Sequence, residues 1–196
     1  MLAPAFDDPS LASQTVFRTI MEAMARPALP RALSAKLSPP PPLSPLAAAV
    51  ALTVLDYETP FWLDAGLAAD EAAAWLAFHT GAPRAMDAGQ ASFAFISDPA
   101  AMPAFTSFAP GTLEYPDRST TLVLQVESFA DGDALAFSGP GIAGLRRFSA
   151  APLPADFVAQ LKANRELFPR GIDLIFVSDD QLAALPRSVR LAAGGH

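Results

Sequence analysis

The chain has 196 residues, a formal net charge of −7 and no cysteine. Such a sequence excludes disulfides, thiolate metal sites and a cysteine nucleophile, and an acidic chain without a basic stripe does not fit nucleic acid. Only 17% of residues are charged, against roughly 25% in ordinary soluble domains, a deficit expected where other protein covers part of the surface.

No linker-like shift in composition divides the chain, so residues 1–196 are expected to form a single domain. The longest apolar run, Leu46 to Leu55, is about half of what a bilayer span needs, so no membrane partner is expected. The N-terminus carries Asp7 and Asp8 and no basic segment. No signal peptide is expected, and the chain reads as cytoplasmic.

Pro9 and Ser10 open an expected helix whose apolar stripe is Phe17, Ile20, Met21 and Met24. Residues 27–45 hold seven prolines, including the run Pro39 to Pro42. Such a segment is extended and cannot join a central strand, so it is expected to be a surface connector or arm. Ser44-Pro45 then starts an alanine-rich helix to about Leu55. Thr59 to Leu63 reads as a short strand, and Asp64 is a candidate cap for the next helix, which carries Trp75, Phe78 and His79 before Gly81.

Further strands are expected at 91–96, 119–126 and 133–138, and a helix from Pro154 to about Glu166 bearing Phe157, Leu161 and Phe168. The run 172–177 is apolar throughout, as in a strand buried on both faces. Asp179-Asp180 are expected to cap a short helix with Leu182 and Leu185, before a last strand over 188–192. Helices interleaved with buried strands predict an α/β fold in three layers, a mixed sheet flanked by helices.

Gly139, Gly141 and Gly144 spell G-x-G-x-x-G after the strand 133–138. A dinucleotide loop requires a crossover helix behind the third glycine and free N–H groups for phosphate. Here Pro152 and Pro154 leave no room for that helix, and Pro140 has no N–H to donate. The motif is therefore expected to be a turn between two strands, with Arg146 and Arg147 on the second.

His79 is the only internal histidine; one histidine without cysteine builds no zinc site, so no metal is expected. Beside Trp75 it reads as a hydrogen-bonded, half-buried residue. His79, Ser138, Gly139, Gly141 and Arg187 are retained as ligand-binding candidates, and no residue is assigned as catalytic. Asp173, an acid at the start of an apolar strand, needs a partner. Arg170, three residues earlier, is the expected one, and the pair is read as structural. The only lysines, Lys36 and Lys162, lie in the proline segment and on the polar side of a helix, so no pyridoxal phosphate aldimine is expected.

Seven stretches taken together resemble one family: FRTIMEAMARP (17–27), LDYETPFWL (55–63), FHTGAP (78–83), STTLVLQV (119–126), GPGI (139–142), FPRGIDLIF (168–176) and LPRSVRL (185–191). They occur in the order and spacing of the H-subunit family of the carbon–phosphorus lyase system. The chain departs from it at Ala28, where the family usually has glycine, and in the length of the run 39–42. The resemblance implies a fold like the large domain of pyridoxal-phosphate transferases without the cofactor, and a homodimer. It also implies assembly with the G, I and J subunits into a complex that transfers the ribose triphosphate of ATP to a phosphonate, releasing adenine. The alternatives are a stand-alone α/β binder of a small molecule, with its pocket at strand carboxyl ends near Ser97, Ser138–Gly141 or Ser178–Asp180, and a pure assembly scaffold.

Overall fold

A computed structural model describes residues 3–68 and 70–192. Its centre is a six-stranded mixed sheet in the order β1-β8-β7-β4-β3-β2, built from β1 (Arg31–Ala32), β2 (Phe61–Leu63), β3 (Phe93–Ile96), β4 (Thr121–Gln125), β7 (Asp173–Val177) and β8 (Gln181–Leu185). Strands β2, β3, β4 and β7 are parallel; β8 runs back against β7, and β1 lies antiparallel to β8 at the edge. The parallel strands are buried on both faces, which explains their unbroken apolar runs.

The pleat sends alternate side chains to opposite layers. Phe95, Val123, Ile175 and Leu182 pack beneath α1 (Pro9–Ala25), α2 (Pro45–Val54) and α3 (Asp70–Thr80). Ala94, Leu122, Leu124 and Phe176 face the other way. There they meet α4 (Phe157–Glu166) and residues of a second sheet, ordered β6-β5-β9, formed by β5 (Leu135–Ser138), β6 (Arg146–Phe148) and β9 (Arg190–Leu191). The expected mixed α/β sheet is present, but its second face is covered by a small sheet as well as by a helix.

Local chemistry sets the helix ends. The Asp8 carboxylate accepts the Leu11 N–H at 3.1 Å, and the Ser44 hydroxyl accepts the Ala47 N–H at 3.2 Å, each followed by a proline at a tolerated position. In α2 the six consecutive residues Leu46 to Ala51 are buried; alanine lets the helix sit close to its neighbours on every side.

Four expectations are corrected. The buried stripe of α1 is Val16, Ile20 and Ala23, whereas Phe17 and Met21 are about half exposed, at 53% and 52%. Phe78 is likewise exposed on α3, and Phe168 lies half exposed beyond α4. Residues 181–185 form a strand rather than a helix: the apolar run QLAAL suits either period, and pairing with β7 buries Leu182 to Leu185 completely. The proline segment is more than a connector, since it supplies β1 and buries Leu33, Leu37 and Leu43, although its strand stays on the edge as proline requires.

Candidate functional site

The glycine motif is a turn between β5 and β6, which pair antiparallel with Leu135 opposite Phe148. Gly141 has φ +78°, and a Cβ there would fall 2.1 Å from the carbonyl oxygen of Ala25 at the end of α1. Glycine is required by this close approach of two backbones. The Arg146 guanidinium donates to the Pro27 carbonyl at 2.8 Å, clamping the same contact. The turn therefore docks on the 25–27 segment. Ser138 accepts a hydrogen bond from Arg190 Nε at 3.4 Å, across the register of β5 and β9.

Asp173 finds a different partner from the expected one. It is buried at 7% exposure, at the amino end of β7, and its carboxylate is held by Arg187: the backbone N–H at 2.8 Å, Nε at 3.2 and 3.1 Å, and Nη2 at 2.5 Å. Arg187 Nη1 also donates to the Pro116 carbonyl. The β7–β8 hairpin is the cause, because it returns the chain to the amino end of β7, placing Leu185 opposite Leu174 and Arg187 beside Asp173. Among the described residues Arg170 makes no salt bridge, and its buried Nε has no hydrogen-bond partner. Of the ligand-binding candidates, Arg187 thus has its guanidinium committed to this pair.

His79 Nε2 donates to the Ala3 carbonyl at 3.0 Å, and Trp75 Nε1 donates to the same oxygen at 2.7 Å. The two rings, 4.7 Å apart, tie the N-terminal segment to α3. His79 holds one part of the frame; the 138–141 turn packs on Ser188 and Val189, next to Arg187, whose guanidinium is turned to Asp173.

Three polar residues carry more than the sequence reading gave them. Asp64, at the end of β2, does not cap α3. Its carboxylate accepts from the N–H groups of Leu67, Ser97 and Asp98 at 2.7–3.1 Å and from the Ser97 hydroxyl at 3.0 Å, joining the carboxyl ends of β2 and β3. Asn164 pairs both ways with Ile172, at 2.9 and 3.0 Å, fixing α4 to the entry of β7. Gln125, the last residue of β4, grips the proline segment through both amide atoms.

The carboxyl ends of the parallel strands, where ligands gather in open α/β sheets, carry an acidic lining. A cleft of about 410 Å³ there is bordered by Pro30, Glu127, Ser128, Ser178, Asp180 and Gln181. A second cavity, about 700 Å³, lies between β5 and the approach to α4, with Asp133 and Arg147 on its walls. Among the described residues no group of three or more histidine, aspartate or glutamate side chains is placed to hold a metal ion.

Fold and polar contacts define an α/β domain built on a mixed sheet, in which the described polar side chains mainly fasten loops to strand ends. Comparison with known proteins places that domain in a family. The family described as "Bacterial phosphonate metabolism protein (PhnH)" matches residues 4–192. The "Alpha-D-ribose 1-methylphosphonate 5-triphosphate synthase subunit PhnH" of Rhizobium meliloti (strain 1021) is 44% identical over 187 residues, 95% of this chain and 94% of that protein. A "Putative C-P lyase subunit protein HtxG" of Stutzerimonas stutzeri is 33% identical over 85 residues, 43% of this chain and 44% of that protein. This chain belongs to the PhnH family.

Proposed function

We propose that this protein is the H subunit of a carbon–phosphorus lyase core complex and works beside G, I and J subunits. The complex transfers the ribose triphosphate of ATP to a phosphonate and releases adenine; this subunit supports that reaction and does not perform it alone. The observation that carries the reading is identity of 44% over 95% of the chain with a named synthase subunit. The geometry agrees with it, since Arg187, His79 and the glycine turn are each engaged in holding the frame.

The remaining features of the proposal rest on the same footing. A homodimer is supported by the low charged fraction and by the half-exposed Phe17 and Met21 on α1. A cytoplasmic location is in keeping with the lack of a long apolar helix among the described residues. The mixed sheet is compatible with a fold like the large domain of pyridoxal-phosphate transferases, but Lys36 and Lys162 are both exposed, so the proposal includes no aldimine; with one internal histidine and no cysteine it includes no resident metal either. The test is genetic. Removing this chain's gene from its host should abolish growth on methylphosphonate as sole phosphorus source while leaving growth on inorganic phosphate unchanged. Undiminished growth on methylphosphonate would overturn the reading.

A further inference from the structure

The proline segment leaves the sheet edge at β1, passes beside α1 through residues 33–36, and is hydrogen-bonded to the body again at the end of β4. In the order β1-β8-β7-β4, that path crosses the ends of β8 and β7. The Leu33 N–H donates to the carbonyl of Asp180, just beyond the carboxyl end of β7. Pro30 borders the 410 Å³ cleft beside Ser178 and Asp180. Pro30 is the one residue of the segment on that cleft, whereas Leu33 to Lys36 border a cavity with α1.

Its attachment is sparse and specific. Pro39 to Pro42 have no N–H to offer. Between Ser34 and Pro42, among the described residues, the one hydrogen bond to the body is made by Gln125, whose Nε2 donates to the Pro42 carbonyl at 3.0 Å. The same amide accepts the Ser44 N–H on Oε1 at 2.6 Å. A single side chain at the end of β4 thereby substitutes for a neighbouring strand, satisfying one acceptor and one donor of the segment. Leu37 and Leu43 sit buried beneath it, at 8% and 3% exposure.

We propose that residues 30–44 are a strap that opens locally from the carboxyl ends of β7 and β4, and that the Gln125 side chain is its latch. Loss of the latch leaves the strap held by β1, the Leu33 bond and three buried leucines, so it lifts locally while the sheet stays folded. Two hydrogen bonds of ordinary net strength correspond to about a tenfold or greater shift in the open fraction.

The natural chain has no cysteine, so a single introduced thiol reports cleanly. Leu37→Cys places a reporter under the strap, and Ala94→Cys, fully buried in β3, reports opening of the whole domain. Thiol labelling of each is compared in the full-length chain with and without Gln125→Ala. The expected result is about tenfold faster labelling at position 37 with an unchanged rate at position 94. Gln125→Glu, which keeps the acceptor for Ser44 and loses the donor to Pro42, should show the same selectivity and serves if the alanine variant does not fold. Equal acceleration at both positions, or none at position 37, would overturn the proposal.

Discussion

Replacing Arg187 by alanine should unfold this protein more readily than any other arginine substitution near β7. The side chains of Arg187 and Asp173 are 17% and 10% exposed, and the guanidinium contacts both carboxylate oxygens. Without it, Asp173 retains the Arg187 backbone N–H at 2.8 Å but loses its ion-pair partner. Breaking a buried pair from one side costs about 3–5 kcal/mol, and the residual exposure here argues for the lower end, about 3 kcal/mol. For a chain of this size each kcal/mol moves the midpoint by about 2–4 °C, so a fall of about 6–12 °C is expected. Arg170→Ala, which removes a guanidinium with no ion-pair partner among the described residues, should cost only about 1 kcal/mol, mostly lost packing of its stem. The double variant Asp173→Leu/Arg187→Met should recover most of the loss, because no lone charge remains buried. Calorimetry on the four proteins reads all of this. An Arg187→Ala midpoint within about 2 °C of wild type, or an equal loss in Arg170→Ala, would refute the reasoning.

Ala28 sits in the left-handed region at φ +59° with 1% exposure. Relief of that strain by glycine, about 1–2 kcal/mol, is offset by a lost buried methyl and a freer unfolded chain, so Ala28→Gly should melt within a few degrees of wild type. Ala28→Val, with a branched side chain at positive φ in a closed space, should be clearly destabilised in the same scan. Gly141→Ala puts a methyl 2.1 Å from the Ala25 carbonyl; a soluble variant with unchanged melting would contradict the docking of the glycine turn on α1. Asn164→Ala strands the N–H and carbonyl of Ile172 and should lower stability by about 1–3 kcal/mol in urea unfolding.

Much of the fold was legible because its signals are local. Pro9-Ser10 and Ser44-Pro45 marked the starts of two helices, and the apolar runs around 121–125 and 173–177 marked buried strands. The glycine motif was legible too, since Pro140, Pro152 and Pro154 remove the N–H group and the helix that a phosphate loop needs. What escaped was decided by distant contacts. The segment 181–185 has helical composition and becomes a strand only because β7 lies beside it. Sequence proximity favoured Arg170 for Asp173, but the hairpin delivers Arg187 from 14 residues away. Gln125 gave no sequence signal at all: a polar residue closing an apolar strand gains its meaning from Pro42 and Ser44, more than 80 residues earlier. The α1 stripe was misjudged by one position, because Phe17 and Met21 outrank Val16 and Ala23 in hydrophobicity yet face outward.

Membership of a multisubunit complex is the central claim, and co-purification tests it most directly. This chain, carrying the only affinity tag, is co-expressed with the G, I and J subunits encoded by its own host, and the eluate is weighed by native mass spectrometry. The account predicts a stable assembly containing all four chains at constant ratio through gel filtration. Recovery of the tagged chain alone, with the other three soluble in the flow-through, would contradict it.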